Sequence, residues 1–304
     1  MIVPLPVPDG FSFQRVVGSH GWYDLQPFAV AATKDAIATV AALPGGGARR
    51  IVLRSAGGRL TLEVPGRPPA SERRVLEDRA RRILSLDVDL ATFHEAVRSD
   101  ERFRWIAQSG TGRMLRAPTM FEDLVKLVLT TNCSWAFTRK MVAVLVERYG
   151  EAAPGGGRSF PLPGRLASLT EGALRSVVRA GYRAPYLAAL AREVDSGRVD
   201  VEAWDAYRGD PEMLRKEILA LPGVGPYVAE NILKLLGRPA GLALDSAIRA
   251  KYASMYHGGR KIADRTIARR CAPLGRWAGL ALWFDLTRDW FDGDHPSATW
   301  ASLS

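Results

Sequence analysis

The sequence has little sulfur to build with. Of its 304 residues only two are cysteine, Cys133 and Cys271. That excludes a disulfide framework and any four-cysteine cluster, and it suits a reducing cytoplasm. Histidine is scarce as well. His20, His94, His257 and His295 stand far apart with no ligand spacing, so no catalytic metal is expected. No apolar run is long enough to span a bilayer. The opening Met1-Ile-Val-Pro-Leu-Pro6 lacks the basic stretch and apolar core of a signal peptide, and no membrane partner is expected. There is no internal repeat and no low-complexity tail.

Positive charge, by contrast, is in excess. Lysine and arginine number 42 against 32 aspartates and glutamates, a formal net charge of +10. Such a balance favours a polyanionic partner through counterion release at phosphates, although charge alone does not identify one. The hydrophobic content of 47% is ordinary for a globular protein, and the length leaves room for two domains.

Up to about Pro65 the pattern reads as β. Strands are expected over residues 11–17, 21–25, 36–41, 50–54 and 60–64, with Gly45-Gly-Gly47 and Gly57-Gly58 as hairpin loops. From Ser71 the pattern turns helical. Helices are expected over residues 89–97, 120–131 and 134–149, and again from Glu171, Tyr182, Glu212, Val224, Ser246, Ala263 and near Arg276. The glycine- and proline-rich run 154–163 reads as a surface connection. The fold class is therefore α+β, with a small N-terminal antiparallel sheet subdomain over residues 1–88 and a two-lobed helical domain over 89–304.

The most informative stretch is Leu221-Pro222-Gly223-Val224-Gly225, set between two apolar, helically periodic segments. Proline and two glycines there make a very tight turn. Glycine permits positive φ and close backbone approach, and amides at the start of the second helix can hold a phosphate. About twenty residues beyond the turn a lone carboxylate, Asp245, stands at the start of the next helix. It is placed equally well to cap that helix. The Gly-Val-Gly does not follow a strand, which argues against a dinucleotide fingerprint.

This turn, its following helix and Asp245 resemble the helix-hairpin-helix DNA glycosylases with the Gly/Pro…Asp signature. Gly181-Tyr-Arg-Ala-Pro-Tyr-Leu187, Met114-Leu-Arg-Ala-Pro-Thr-Met-Phe121 with Leu129-Thr-Thr-Asn132, and Pro8-Asp-Gly-Phe-Ser-Phe13 are similar to segments of the 8-oxoguanine glycosylase branch, in order. The resemblance implies a two-lobed helical glycosylase domain, double-stranded DNA with a modified base as partner, a monomer and no cofactor. It implies that Asp245 stabilises the sugar cation as the base leaves. Leu221, Gly223, Val224 and Gly225 would grip a phosphate, and the carbonyls of Leu219, Leu221 and Val224 would hold a monovalent cation. Asn132 would fill the gap left by a flipped nucleotide, with Tyr182 and Arg183 at the orphaned base. Arg249 and Lys251, with Arg260, Lys261, Arg265, Arg269 and Arg270, form a basic run that could follow the DNA backbone or serve as a solvated face.

The chain departs from that branch at several points. Bifunctional members carry a lysine where this chain has Tyr227. A phenol cannot form a Schiff base, and Lys234, two turns on, is expected to point elsewhere, so a monofunctional enzyme is expected. A base-reading glutamine becomes about Leu282. A cysteine becomes Asn231, a histidine becomes Ala247, and an arginine becomes about Phe137. Gly10 remains where a glycine carbonyl reads the oxidised purine. These changes argue against 8-oxoguanine as substrate. Trp277, Trp283, Tyr227 and Phe284 offer aromatic surface for a flipped base, which could be an alkylated purine or a bulky modified base such as a hypermodified viral cytosine. A noncatalytic DNA-binding module built on the same hairpin is the alternative of another class. No cysteine-rich cluster follows the motif, so no iron–sulfur centre is implied.

Overall fold

Alternation of inward and outward side chains builds the sheet. The computed structural model describes residues 1–239 and 241–292. Five strands, β1 (Ile2–Leu5), β2 (Ala29–Val30), β3 (Ala36–Ala42), β4 (Ala48–Ala56) and β5 (Arg59–Glu63), form one antiparallel sheet in the order β1-β5-β4-β3-β2. Register puts Val3 opposite Leu62, Leu62 opposite Leu53, and Leu53 opposite Ile37, a buried row across four strands. Cross-strand neighbours of this kind are the unit of sheet stability. The pair Ala56↔Arg59 closes a two-residue loop at Gly57-Gly58, whose φ values of 55° and 74° only glycine adopts without strain.

Two expected strands are corrected. Residues 11–17 contain a short helix, α1 (Phe13–Val17), and 21–25 contain a 3₁₀ turn, Gly21–Asp24. Phe13, Val16 and Val17 are buried, the i, i+3, i+4 spacing of a helix face, which alternation over so short a segment concealed. Conversely β1 was hidden by Pro4. As an edge strand paired only with β5 it tolerates a residue without an amide hydrogen.

The helices follow as α2 (Ala70–Ile83), α3 (Ala91–Arg98), α4 (Arg104–Gln108), α5 (Met120–Thr130), α6 (Trp135–Tyr149), α7 (Pro163–Ala167), α8 (Glu171–Ser176) and α9 (Ala184–Asp195). Then come α10 (Pro211–Leu219), α11 (Pro226–Leu235), α12 (Ser246–His257), α13 (Asp264–Cys271), α14 (Ala278–Leu286) and α15 (Asp289–Asp292). The expected helical starts agree to within a turn. One core runs from Val3 in the sheet to Phe284 in α14, so the sheet and the helices share their interior. A second, smaller cluster of Tyr252, Ile267, Cys271, Leu282 and Leu286 joins α12, α13 and α14.

Helix α5 is the axis of the large core, buried from Met120 to Leu129. Thr119 caps it, accepting from the Glu122 amide at 3.1 Å. Its three buried charges are all paired. Lys126 meets Glu122 at 2.6 Å, and burial raises the Glu122 carboxyl above its usual range. Asp123 accepts from the Trp22 indole at 2.6 Å, the Ala117 amide at 2.9 Å and the Arg82 guanidinium at 2.8 Å. Arg82 also reaches Asp205 at 2.6 Å. Removing one member of a buried pair strands the other charge. Asp123→Ala is expected to lower the unfolding free energy by about 3–5 kcal/mol, read by urea denaturation; a loss below about 1 kcal/mol would mean that Arg82 finds solvent instead.

Candidate active site

Helices α10 and α11 meet in the turn 221–225. Asp210 caps α10 by accepting from the Glu212 amide at 3.0 Å. Pro226 opens α11, where a missing amide hydrogen costs nothing. The Val224 amide closes the turn on the Leu221 carbonyl at 3.2 Å. Gly223 has a φ of 75°, and a Cβ there would lie 2.6 Å from that of Tyr186. The amides of Gly223 and Gly225 meet no backbone carbonyl among the described residues, as an anion-binding helix start requires.

Helix α11 buries Val228, Ala229, Ile232 and Leu233 and sets Tyr227, Asn231 and Lys234 along another face, at i, i+4 and i+7. The expectation that Lys234 points elsewhere is therefore corrected: it shares the Tyr227 face. Only 3% exposed, its ammonium sits 3.4 Å from Asn231 Oδ1 and 5.1 Å from the centre of the Trp283 ring. Burial pulls its pKa down to about 8. The Tyr227 phenol is pushed up to about 12 by burial, with the Asp245 charge adding to the shift.

The loop beyond α11 is latched by Glu230, a residue the sequence did not single out. Its carboxylate accepts from the Ala243 amide at 2.6 Å and approaches Arg215 at 3.7 Å. A Cβ at Gly241 would lie 2.4 Å from that carboxylate, so the latch needs a glycine. Asp245 follows. Its Oδ1 accepts from the Ile248 amide at 2.7 Å and caps α12. Its Oδ2 makes no hydrogen bond among the described residues, and the residue lines a cavity of about 780 Å³. Capping and facing the cavity thus coexist.

Asp245, Tyr227, Asn231, Ala247 and Trp283 all line that cavity, as do Asn132, Arg249 and Lys251 at its rim. Much of the rest of the wall comes from distant segments. His20, Trp22 and Trp135 face it from the N-terminal side, and Trp290 from α15. Trp22 stacks on Trp135 with centroids 6.5 Å apart. Trp283 donates to the Ser19 carbonyl at 2.8 Å and meets Trp290 edge-on at 5.5 Å. No local signal marks Trp22 or Trp135 as pocket residues, because both reach it through tertiary packing.

Several expectations are corrected. Leu282 is buried in the smaller core and does not line the cavity. Trp277 and Phe284 are core as well, and Trp277 packs on Phe93 at 5.2 Å. Gly10 is also absent from the cavity: a Cβ built on Gly110 would lie 2.0 Å from the Gly10 carbonyl oxygen, so that carbonyl packs against Gly110. Arg183 is 4% exposed and bonds the carbonyls of Thr131 and Ala180 and the Thr131 hydroxyl at 3.3 Å. It braces the loop before α6 from beneath. Tyr182, 49% exposed, stands over that loop and accepts from Asn132 Nδ2 at 3.0 Å. Asn132 adopts a φ of 48°, a left-handed geometry that asparagine tolerates. Arg249 pairs with Asp264 at 2.8 Å and Lys251 with Asp289 at 2.6 Å, so neither cation is free. Arg270 lies 3.8 Å over the Tyr256 ring, away from a solvated stripe. Among the described residues no group of histidine, cysteine and acid side chains could hold a metal, and no helix is long and apolar enough to cross a membrane.

No family model matches the chain. The fold is that of DNA glycosylases of the helix-hairpin-helix type. A 3-methyladenine DNA-glycosylase from Archaeoglobus fulgidus superposes with a TM-score of 0.73 at 19% identity, covering 97% of this chain and 100% of that one. MBOgg1, solved in complex with a low-affinity DNA ligand, superposes with a TM-score of 0.70 at 19% identity, covering 95% of each chain. In sequence, the chain is 28% identical over 222 residues to a probable N-glycosylase/DNA lyase of Methanothermobacter thermautotrophicus, spanning 64% of this chain and 68% of that protein. It is 28% identical over 232 residues to a probable bifunctional transcriptional activator/DNA repair enzyme AlkA of Mycobacterium tuberculosis, spanning 73% of this chain but only 43% of that protein. By name, these relatives and neighbours are DNA glycosylases, a probable N-glycosylase/DNA lyase and a probable DNA repair enzyme.

The pocket wall also sets a pH limit. His20 donates to the Leu115 carbonyl at 2.6 Å, and burial lowers its pKa from 6.5 to about 4. The unfolded chain therefore takes up this proton first as pH falls. The stability due to neutral His20 is complete above pH 6.5 and is lost progressively down to about pH 4, amounting to about 3 kcal/mol. His20→Gln keeps a donor and removes the titration. Its stability is expected to vary less across that window than the wild type's, measured by chemical denaturation at each pH.

Proposed function

We propose that this protein is a monofunctional DNA glycosylase. It takes a modified base from double-stranded DNA into the cavity and hydrolyses the base–sugar bond, leaving an abasic site. One observation carries the reading: Asp245 caps α12 through one carboxylate oxygen, and its second oxygen, with no hydrogen bond among the described residues, belongs to an aromatic cavity that Tyr227, two residues beyond the hairpin, also lines. Its carboxylate stabilises the sugar cation and takes the proton of the attacking water.

The other roles follow from position. The Gly223 and Gly225 amides, with Leu221 and Val224, hold a phosphate beside the lesion. The carbonyls of Leu219, Leu221 and Val224 hold a monovalent cation. Asn132 and Tyr182, already bonded to each other, enter the gap left by the flipped nucleotide, on a loop that Arg183 braces. Arg249 and Lys251 exchange their carboxylate partners for DNA phosphates. The division of labour falls near residue 88, with the sheet part supplying a wall and the helical part the chemistry. We assign the protein to the cytoplasm as a monomer, without a cofactor.

Tyr227 stands at the hairpin where an amine nucleophile would be required, and its neutral phenol cannot supply one. This favours hydrolysis over strand cleavage. With Leu282 buried, the pocket lacks a base-edge amide at that position, which argues against 8-oxoguanine specificity. The roomy cavity supports a second reading, excision of a bulky hypermodified base such as a viral cytosine, in defence instead of repair.

Asp245→Asn separates catalysis from a noncatalytic DNA-binding role. Asparagine caps a helix as well as aspartate does, so the fold and DNA binding should persist. Base release, scored as alkali-labile sites, is expected to fall by about 10²–10³-fold; release at the wild-type rate would falsify the assignment. Borohydride is expected to trap no covalent complex with wild-type protein on cleaved DNA. A trapped adduct lost in Lys234→Met would make that amine a nucleophile and the enzyme a lyase.

A further inference from the structure

Buried cations in this protein are matched to acceptors. Arg82 meets Asp123 at 2.8 Å, Lys126 meets Glu122 at 2.6 Å, and Arg116 meets Asp205 at 3.1 Å. Arg113 and Arg183 bond backbone carbonyls. Lys234 is more weakly bonded than these. It carries three donor hydrogens, yet among the described residues its one hydrogen-bond acceptor is Asn231 Oδ1, at a long 3.4 Å, and it forms no ion pair. The nearest carboxylate on its own helix, Glu230, is committed to the Ala243 amide and to Arg215. With the Trp283 ring as its other partner, an ammonium so placed is still costly to bury.

Its surroundings indicate the use. Lys234 stands behind the cavity wall, beside Asn231 and Trp283 and within electrostatic reach of Asp245 and His20, all of which line the cavity. It also fixes the polarity of Asn231. An ammonium can only donate, so the amide oxygen faces Lys234. The Tyr227 carbonyl can only accept, so Nδ2 faces Tyr227, at 2.9 Å. The remaining Nδ2 hydrogen makes Asn231 a donor towards the cavity.

We propose that Lys234, acting through Asn231 and the Trp283 ring, selects a neutral base that bears a hydrogen-bond acceptor and leaves as an anion, and disfavours bases that already carry positive charge. The proposal rests on the glycosylase reading and names its substrate class. When the bond from a neutral base to the sugar breaks, its electron pair stays on the base. The resulting anion spreads onto a carbonyl oxygen or ring nitrogen, where a buried cation and an amide donor stabilise it. Water adds to the sugar carbon, its proton passes to Asp245, and the base anion is reprotonated from solvent. A cationic alkylated purine leaves neutral, gains nothing from the ammonium and is repelled by it on entry. Lys234 is thus a positioning residue that sets the charge of the pocket floor.

The test compares wild type, Lys234→Met and Asp245→Asn on duplexes carrying one modified base each. The neutral set is uracil, 8-oxoguanine and glucosylated hydroxymethylcytosine, and the cationic set is N7-methylguanine and N3-methyladenine. Wild type is expected to release a neutral base fastest. Lys234→Met is expected to lower that rate by at least about 10-fold while leaving or raising the rate on cationic bases, a change of preference that general loosening does not produce. A melting curve checks its fold. An unchanged ratio in folded Lys234→Met overturns the inference, and the glycosylase reading stands if Asp245→Asn still lowers release by about 10²–10³-fold. If that variant does not fold, the wild-type ratio between pH 7 and 9 decides, because Lys234 loses its proton near 8. Of the groups facing it, Asp245, Glu230, His20 and Tyr227, His20 titrates near 4 and Tyr227 near 12. A ratio that narrows with pH supports the inference, and a flat one overturns it. Release of neither class by wild type ends both the inference and the reading beneath it.

Discussion

The Asp123 carboxylate is the joint on which the molecule depends. It lies in the first turn of α5 with no exposed surface and accepts from Trp22, Ala117 and Arg82. A carboxylate taken out of water at such depth is tolerable only with its lone pairs engaged. The three donors come from three separate segments. The tryptophan follows α1, the amide precedes α5, and the guanidinium lies on α2. Asp205 meets Arg82 and Arg116 from a fourth segment, the 3₁₀ turn Val201–Ala206. The network therefore adds a buried polar joint between the sheet portion and the helical portion, within the core they share, and it fixes the direction of Trp22.

That direction matters because Trp22 is a wall of the cavity. With its indole nitrogen on Asp123, its ring stacks towards Trp135, which is itself held by Asp24 at 2.9 Å. The two rings close over Gly21, where a Cβ would lie 2.4 Å from the Trp135 ring. On the far side Glu230 fastens the loop that delivers Asp245. The cavity thus has two independently braced halves, one ending in aromatic rings and the other in a carboxylate.

What could be read from the sequence was local. The hairpin at 221–225 and the cap at Asp245 are determined within a few residues, by proline, glycine and the start of α12, and both appear where their pattern puts them. The sheet's central strands were legible for the same reason. The pocket was less so. Helix α14 is apolar on all sides, so nothing in its sequence separates Trp283, which faces the cavity, from Leu282 and Phe284, which face two different cores. Arg183 reads as a surface charge until the fold wraps Thr131 around it. Lys234 is the one error that periodicity alone could have prevented, since i+7 returns to the face of i on a helix of 3.6 residues per turn.

Tyr227 and Lys234 together describe a displacement of charge along one helix. Seven residues of α11 separate them, roughly 10 Å at 1.5 Å per residue. A cation at position 227, beside the hairpin, would lie near the sugar, where an amine can attack. This chain puts a neutral phenol there and a buried ammonium two turns deeper, behind Asn231 and Trp283. On the proposed reading, that cation acts on the departing base and not on the carbon the base leaves. The carboxylate, meanwhile, stays at the mouth of the same face, on the cap of α12. The Asp245 carboxylate on the cavity wall and the Lys234 ammonium behind it are opposite charges within electrostatic reach of each other, and set up a field across the cavity. Such a field favours separation of a positive sugar from a negative base more than it favours binding either one alone. The same arrangement therefore argues for hydrolysis and against a substrate whose base is already cationic.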